Sequence, residues 1–249
     1  MKKYFRACMM CMTMFCAIPC PFHKWDDEAR PLMTLFLPVV GAWIGLLWTL
    51  IAYAVRWLEL PVLVGAAILC AYPFLVTGGI HFDGYLDVTD AVKSWRDLDE
   101  RRRILKDSNV GAFAVIACVL LVMVQFSLFA SVKETANLFT LTLIPIVSRT
   151  IAGLCITVLR PLGTSEYAGA YRQGVKRSHI TVFAAVLVCV TALGFLLLGK
   201  YGFASLAVIA GYLLHLRRAF RSLDGMSGDV SGYALTFGEV CGIAVFALI

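Results

Sequence analysis

Segment 77–91, with the sequence TGGIHFDGYLDVTDA, carries a dense set of chemically useful side chains. Asp83, Asp87 and Asp90 stand at i, i+4 and i+7, which places three carboxylates along one face of a helix. Carboxylates so close together repel one another unless a cation lies between them. Mg²⁺ binds one or two carboxylates together with phosphate oxygens and water. The spacing therefore predicts a divalent metal site for chemistry on phosphates.

The residues before this acidic face favour a ligand site over a merely solvated helix at a membrane surface. Gly78 and Gly79 permit a tight backbone turn and the close approach of a ligand. His81 adds a group that can titrate or form hydrogen bonds. A solvated acidic helix would not explain these three residues.

Two further segments carry candidate site residues. Residues 106–113 read KDSNVGAF, where Asp107 or Ser108 would make a good helix N-cap. Uncapped amides beside Lys106 would instead form an anion pocket facing the acidic face, and both interpretations stay open. Residues 224–232 place Asp224 and Asp229 among glycines, either as part of the site or as a simple turn.

The composition identifies the elements that must position these residues. Hydrophobic residues make up 60% of the 249, charged residues 15%, and the mean hydropathy is +0.83, outside the range of soluble globular domains. A helix that crosses a bilayer needs about 20 apolar residues. About seven runs approach this length: 31–55, 60–80, 108–132, 135–159, 180–199, 201–216 and 230–249. We predict an all-α, polytopic membrane helical bundle, a single integral membrane domain over 1–249.

The basic residues predict which connections face the cytoplasm, because short basic loops stay on that side. The segment before the first run carries five Lys and Arg, segment 78–109 six, segment 160–179 four and segment 217–230 three. The three opposite connections carry one each, namely Arg56, Lys133 and Lys200. Eighteen against three predicts a cytoplasmic N-terminus and a cytoplasmic catalytic loop at 77–109. The net charge of +6 reflects this topology and does not indicate nucleic-acid binding.

Other features are given structural interpretations. The first 20 residues resemble a signal peptide, but 1–30 is predicted to be an interfacial N-terminal segment that stays attached. Cys8 and Cys11 form a C-x-x-C pair that we interpret as small hydrophobes, with a metal site as the alternative. Arg149 and Glu239 lie inside apolar runs and are expected to pair with each other, with direct contact to the substrate as the alternative. Three basic residues at 101–103 suit an exposed amphipathic helix at anionic lipid, or attraction of a nucleotide.

Taken in order, GGIHFDGYLDVTDA, KDSNVGAF and GMSGDVSG make the chain resemble the cobalamin synthase family of adenosylcobinamide-GDP ribazoletransferases. Pro19, Pro21, Trp25 and Arg30 ahead of LPVVGAWIG are similar too. The resemblance implies a Mg²⁺-dependent enzyme of the bacterial inner membrane. It would join adenosylcobinamide-GDP to α-ribazole or its 5′-phosphate and release GMP, and it could form a homo-oligomer.

The resemblance also implies residue roles. Asp83, Asp87 and Asp90 would hold the metal, and Asp229 would complete the site from the far loop. His81 would orient or deprotonate the attacking hydroxyl, and Asp107 would assist at the phosphate or the metal. The substrate contacts implied are Gly78, Gly79, Lys106, Ser108 and Asp224.

Several positions depart from the family pattern, among them Phe82, Tyr85 and Val88, which leave its polar positions unchanged. Asn109 stands where many relatives carry Arg, and Tyr167-Ala168-Gly169 stands where they carry Tyr-Ala-Arg, with Arg172 three residues on.

Other classes of membrane protein share some of these features. A CDP-alcohol phosphatidyltransferase would need D-G-x-x-A-R followed by G-x-x-x-D-x-x-x-D, which the sequence lacks. A polyprenyltransferase would lack the ordered second and third motifs. A proton-coupled transporter would use Arg149 and Glu239 as its ion path.

Overall fold

The computed structural model describes residues 2–20, 22, 24–163 and 177–249. Over these residues the chain is helical and contains no strand, so the all-α prediction is confirmed. The helices are α1 (Lys2–Phe15), α2 (Leu37–Trp57), α3 (Val62–Val76), α4 (Ile80–Lys93), α5 (Leu98–Ile104), α6 (Ala112–Ala130), α7 (Thr140–Val158), α8 (Arg177–Leu198), α9 (Phe203–Leu223) and α10 (Gly228–Leu248). Short 3₁₀ helices occupy Arg30–Phe36 and Gly199–Gly202.

Several helical segments are long and apolar enough to cross a membrane, which indicates an integral membrane protein. Within the described residues there are five such segments, or six if the bent pair α3 and α4 forms one span. The predicted number of seven is not confirmed. The two counts differ because α3 has only 15 residues and because one segment, Arg177–Leu223, runs for 47 residues through the 3₁₀ turn at Gly199.

The centre of the bundle is formed by α7 and α10, each with 72% of its most apolar window buried. Only 22% of that window is buried in α6, so most of its side chains face outward, as expected beside lipid. The helices are joined by buried hydrogen bonds. The Trp48 indole donates to the carbonyl of Leu69 at 3.0 Å, and the Tyr72 hydroxyl donates to the carbonyl of Ile44 at 2.7 Å.

One end of the bundle gathers the three isolated basic residues of the sequence prediction. Arg56 donates to the carbonyls of Lys133 and Ala136, and the ammonium groups of Lys133 and Lys200 each lie 2.9 Å from the carbonyl oxygen of Ile249. The structure thus places these three connections together. The basic and acidic segments that flank α4 and α10 lie at the other end.

Helix α1 packs against the bundle with Ala7, Met10 and Cys11 buried. The Arg6 guanidinium donates to the Asp26 carboxylate at 2.7 Å, and this hydrogen bond holds the pKa of Asp26 below its ordinary value. Because Cys11 is buried on this face of α1, it serves as a small hydrophobe, in agreement with the interpretation of the C-x-x-C pair.

Candidate active site

The turn between α3 and α4 sets the orientation of the acidic segment. Gly78 and Gly79 both have positive φ, +60° and +78°, a conformation that side chains other than glycine rarely adopt. The two helices meet at 89°, and α4 packs against both α6 and α10. The tight turn expected from these glycines is therefore confirmed.

Helix α4 brings the predicted carboxylates together with one from another helix. The Asp87 carboxylate interacts electrostatically with Asp83 and Asp90 on α4 and with Asp229 in the first turn of α10. Asp83 and Asp229 interact in the same way. We call these four residues the acidic cluster. Their convergence is observed, whereas their roles as metal ligands stay predictions.

Glycines allow α4 and α10 to approach closely enough to form this cluster. A Cβ atom on Gly84 would lie 2.7 Å from the Cα of Asp229, and one on Gly232 would lie 2.9 Å from the carbonyl oxygen of His81. Ser227 caps α10, since its hydroxyl accepts a hydrogen bond from the amide of Val230 at 3.1 Å.

The start of α6 lies against the same cluster. The Asp90 carboxyl group occupies the space that a side chain on Gly111 would fill, directly before the first residue of α6. No side chain of the described residues caps this helix, so its first amides are free to bind an anion.

The expected N-cap at Asp107 or Ser108 is wrong. A cap must directly precede the helix, but α6 begins only at Ala112. Asp107 instead accepts hydrogen bonds from the amide and the side chain of Asn109, at 2.9 and 2.8 Å. These bonds hold the pKa of Asp107 below its ordinary value. Lys106 and Ser108 are exposed in the same loop.

His81 lines a cavity of about 290 Å³ between α1, α4, α7 and α10, which we call the inner cavity. Its ring stacks on Phe15 of α1, with centroids 5.8 Å apart and planes 8° from parallel. Arg149 and Asp229 also line the inner cavity. Asp229 therefore belongs to both the inner cavity and the acidic cluster.

Arg149 and Glu239 form a buried ion pair, which confirms the expected pairing. The Ser148 hydroxyl donates to Glu239 at 2.8 Å and accepts from Arg149 at 3.0 Å. These two charged side chains were the basis of the transporter alternative, and they bind each other. The sequence did not predict that Arg149 would also line a cavity with His81.

Asp224 makes ion pairs with Arg160 and Arg102, and these two cationic side chains hold the loop after α9. Arg101 and Arg102 donate to the carbonyls of Ser222 and Leu223, each at 3.1 Å. These arginines thus bind the last carbonyls of α9, a use that neither the lipid nor the nucleotide interpretation included.

The acidic cluster fits Mg²⁺ by the chemistry of its donors. Within the described ranges, no three His, Cys, Asp or Glu side chains are arranged so that they could hold a metal ion together. Mg²⁺ does not need three such side chains, because it binds one or two carboxylates and completes its shell with water and substrate phosphate. All four side chains of the cluster offer carboxylate oxygens, which this ion prefers.

The chain is similar to known proteins over nearly its whole length. The family model for cobalamin-5-phosphate synthase matches residues 7–247. The chain belongs to this family. An adenosylcobinamide-GDP ribazoletransferase of Clostridium perfringens (strain SM101 / Type A) is 36% identical over the full length of both chains. One of Clostridium botulinum (strain Alaska E43 / Type E3) is 34% identical, over 98% of this chain and 97% of the relative.

A third relative with the same name, from Lachnoclostridium phytofermentans, is 27% identical over 98% of this chain and 94% of its own. No solved structure matches. This member of the cobalamin-5-phosphate synthase family is a transferase. The departures from the family pattern at Tyr167, Ala168, Gly169 and Arg172 lie outside the described residues.

Sequence reasoning missed the contribution of α1 to the site. Phe15 stacks on His81 and lines the inner cavity with Met14. The only available signal was an amphipathic pattern in α1, which indicates a buried face but not what it covers.

Proposed function

We propose that the chain joins adenosylcobinamide-GDP to α-ribazole or its 5′-phosphate with release of GMP, in a Mg²⁺-dependent reaction at the cytoplasmic face of the bacterial inner membrane. Three supports are the family membership, the names of the relatives and the eighteen-to-three distribution of basic residues. The observation that carries the proposal is the meeting of Asp83, Asp87, Asp90 and Asp229 with the uncapped start of α6.

The reaction substitutes one oxygen for another at phosphorus. A ribazole hydroxyl attacks the phosphorus on the cobinamide side of the pyrophosphate, a new P–O bond forms, and the bond to the GMP oxygen breaks. The hydroxyl proton passes to a base, and GMP leaves with the electron pair. Mg²⁺ held by the acidic cluster would neutralise the two phosphates and stabilise the leaving group.

The protein groups would bind and orient the reactants. The free amides at the start of α6, with Lys106 and Ser108 in the preceding loop, would donate hydrogen bonds to phosphate oxygens. Asp107 would assist at this phosphate side.

On the acceptor side, His81 is our candidate for orienting or deprotonating the attacking hydroxyl, because it shares the inner cavity with Asp229 of the acidic cluster. Asp224 would contact the substrate from the loop after α9, and its ion pairs with two arginines hold this loop in place.

The test uses purified protein in detergent with adenosylcobinamide-GDP, α-ribazole and Mg²⁺, and measures GMP. We expect Asp87→Asn to lower turnover by at least about 100-fold, because loss of one carboxylate displaces the phosphate. Asp99→Asn removes an exposed carboxylate on α5 and serves as the matched control. Turnover by Asp87→Asn at the wild-type rate would refute the role of the acidic cluster.

A second measurement is independent of turnover. Mg²⁺ together with GMP should raise the unfolding temperature of the wild type and of Asp99→Asn, because a ligand that binds only the folded state stabilises it. The same additions should leave Asp87→Asn unchanged. An equal shift in all three proteins would show that the metal binds elsewhere.

A further inference from the structure

The inner cavity lies beside the acidic cluster and differs from it in character. Its walls include the apolar side chains of Phe15, Ala152, Ile156 and Leu235, from three helices. Its volume of about 290 Å³ is close to the lower end of the range for small-molecule sites, roughly 300–1,000 Å³. A space of this size and lining suits a flat, apolar ligand and excludes a corrinoid.

Two polar atoms of the cavity-lining residues lack partners. The Nδ1 atom of His81 and the Nε atom of Arg149 are buried, and neither has a hydrogen-bond partner in the part of the chain that the structure describes. The Arg149 residue is only 1% exposed. A buried polar group without a partner costs free energy, so these atoms indicate a ligand that supplies hydrogen-bonding groups.

The charges around the inner cavity favour a neutral ligand. Glu239 pairs with Arg149 and offsets its positive charge, while Asp229 contributes a negative charge to the lining. A phosphate would therefore meet no uncompensated cation here. An acyl chain would fill the apolar space but would leave Arg149 and His81 without partners. A neutral nucleoside with an aromatic base satisfies both requirements, because the base is apolar while its free ring nitrogen and the sugar hydroxyls form hydrogen bonds.

We propose that the inner cavity binds the aromatic base of the acceptor nucleoside, with Arg149 donating to its ring nitrogen while His81 keeps its proposed role at the attacking hydroxyl. This inference rests on the proposed function, which supplies α-ribazole as the acceptor. With the base in the cavity, the sugar hydroxyls lie toward Asp229. Asp229 belongs to both sites, so the hydroxyl that attacks is brought to the metal-binding carboxylates.

Filling the cavity tests the inference. Ala152→Leu adds three carbon atoms to a wall of α7, whereas Ala184→Leu makes the same change at an exposed position of α8. Equilibrium dialysis with labelled α-ribazole, without Mg²⁺ or the cobinamide substrate, measures binding directly. We expect Ala152→Leu to raise both the Kd and the KM for α-ribazole at least tenfold. The KM for adenosylcobinamide-GDP should stay within twofold, and Ala184→Leu should change none of these constants.

Enlarging the cavity provides a second variant if Ala152→Leu does not fold. Ile156→Ala should improve the use of acceptors with a larger ring system relative to α-ribazole, measured as the ratio of their kcat/KM values. The inference is overturned if Ala152→Leu binds α-ribazole as the wild type does, or if Ile156→Ala leaves the acceptor preference unchanged. A bound phospholipid would also overturn the inference. This is the case if the purified wild type carries a phospholipid that α-ribazole cannot displace, and if the Ala152→Leu variant lacks that lipid.

Failure of the proposed function would look different. In that case the wild type would form no GMP from the two substrates, whatever the dialysis shows. Loss of α-ribazole binding in Ala152→Leu would then still support the cavity as a heterocycle site.

Discussion

The carboxyl group of Asp90 lies in the space that a side chain on Gly111 would occupy, so that the last acidic residue of α4 meets the start of α6. Gly111 has a φ of −81°, which any residue can adopt. The requirement for glycine at this position is therefore one of space and not of backbone conformation.

Gly111→Ala should inactivate the enzyme without unfolding it. The added methyl group must displace the Asp90 carboxyl group, and a shift of about 1 Å at a catalytic group can cost about 100-fold in rate. Steady-state kinetics of GMP release would measure the loss. Val110→Ala, in the same loop at a side chain that is 64% exposed, should keep the wild-type rate. Full activity in Gly111→Ala would mean that the carboxyl group of Asp90 can move without consequence.

Glu239→Gln should destabilise the folded protein strongly. The change leaves Arg149 charged and buried without a counter-charge, which typically costs about 3–5 kcal/mol. Denaturant titration in detergent would measure the free energy of unfolding. Glu134→Gln, at an exposed position, should have almost no effect.

The double variant Arg149→Met with Glu239→Leu extends this test. It should recover most of the stability, because replacing both partners by apolar side chains removes the buried charge. Its affinity for α-ribazole should nevertheless be lower than that of the wild type, because the Arg149 side chain is gone from the inner cavity. A double variant no more stable than Glu239→Gln would contradict the structural role of the pair.

Arg102→Gln should destabilise the protein more than Arg103→Gln does. Arg102 donates to the Leu223 carbonyl and pairs with Asp224, and its side chain is 30% exposed, so we expect a loss of about 1 kcal/mol. Arg103 pairs with Glu100 within α5 and is 79% exposed, so its loss should cost less than the loss of Arg102. If both substitutions lower the free energy of unfolding equally in a denaturant titration, Arg102 does not stabilise the C-terminal end of α9.

The hydrogen bond between Arg6 and Asp26 should weaken in acid. The pKa of Asp26 is lowered in the folded state, mainly by this hydrogen bond, so its stabilisation is present above the ordinary pKa of about 4. It is lost as the pH falls through the lowered value. Hydrogen exchange of the α1 amides, corrected for intrinsic rates, should increase modestly from pH 5 to pH 3. In Asp26→Asn the exchange should not change with pH.

The sequence alone predicted the site features that depend on the spacing of nearby residues. The i, i+4 and i+7 spacing predicted that Asp83, Asp87 and Asp90 share a helix face, because helical periodicity is a local property. The cost of an unpaired charge in an apolar run predicted the pairing of Arg149 with Glu239.

Contacts between helices that are far apart in the sequence could not be predicted from such spacing. Stacking of Phe15 on His81 depends on how α1 folds back over the end of α3, where the amide of Ala17 donates to the carbonyl of Val76 at 2.7 Å. The use of Arg101 and Arg102 to bind the end of α9 depends on a packing of helices more than 100 positions apart. No local pattern encodes such partners, and composition favoured lipid as the partner.

The glycine-mediated approach of α4 to α10 has a consequence for how this family should be surveyed. Because a methyl group at Gly84 or Gly232 would strike the opposing backbone, substitutions there should be about as damaging to growth as loss of a chemical group. A saturation scan that measures only survival would therefore not distinguish glycines needed for helix packing from residues needed for the reaction. Measuring protein abundance in parallel would separate the two classes. Variants of the packing glycines should be depleted from the membrane, whereas variants of the reactive residues should accumulate normally.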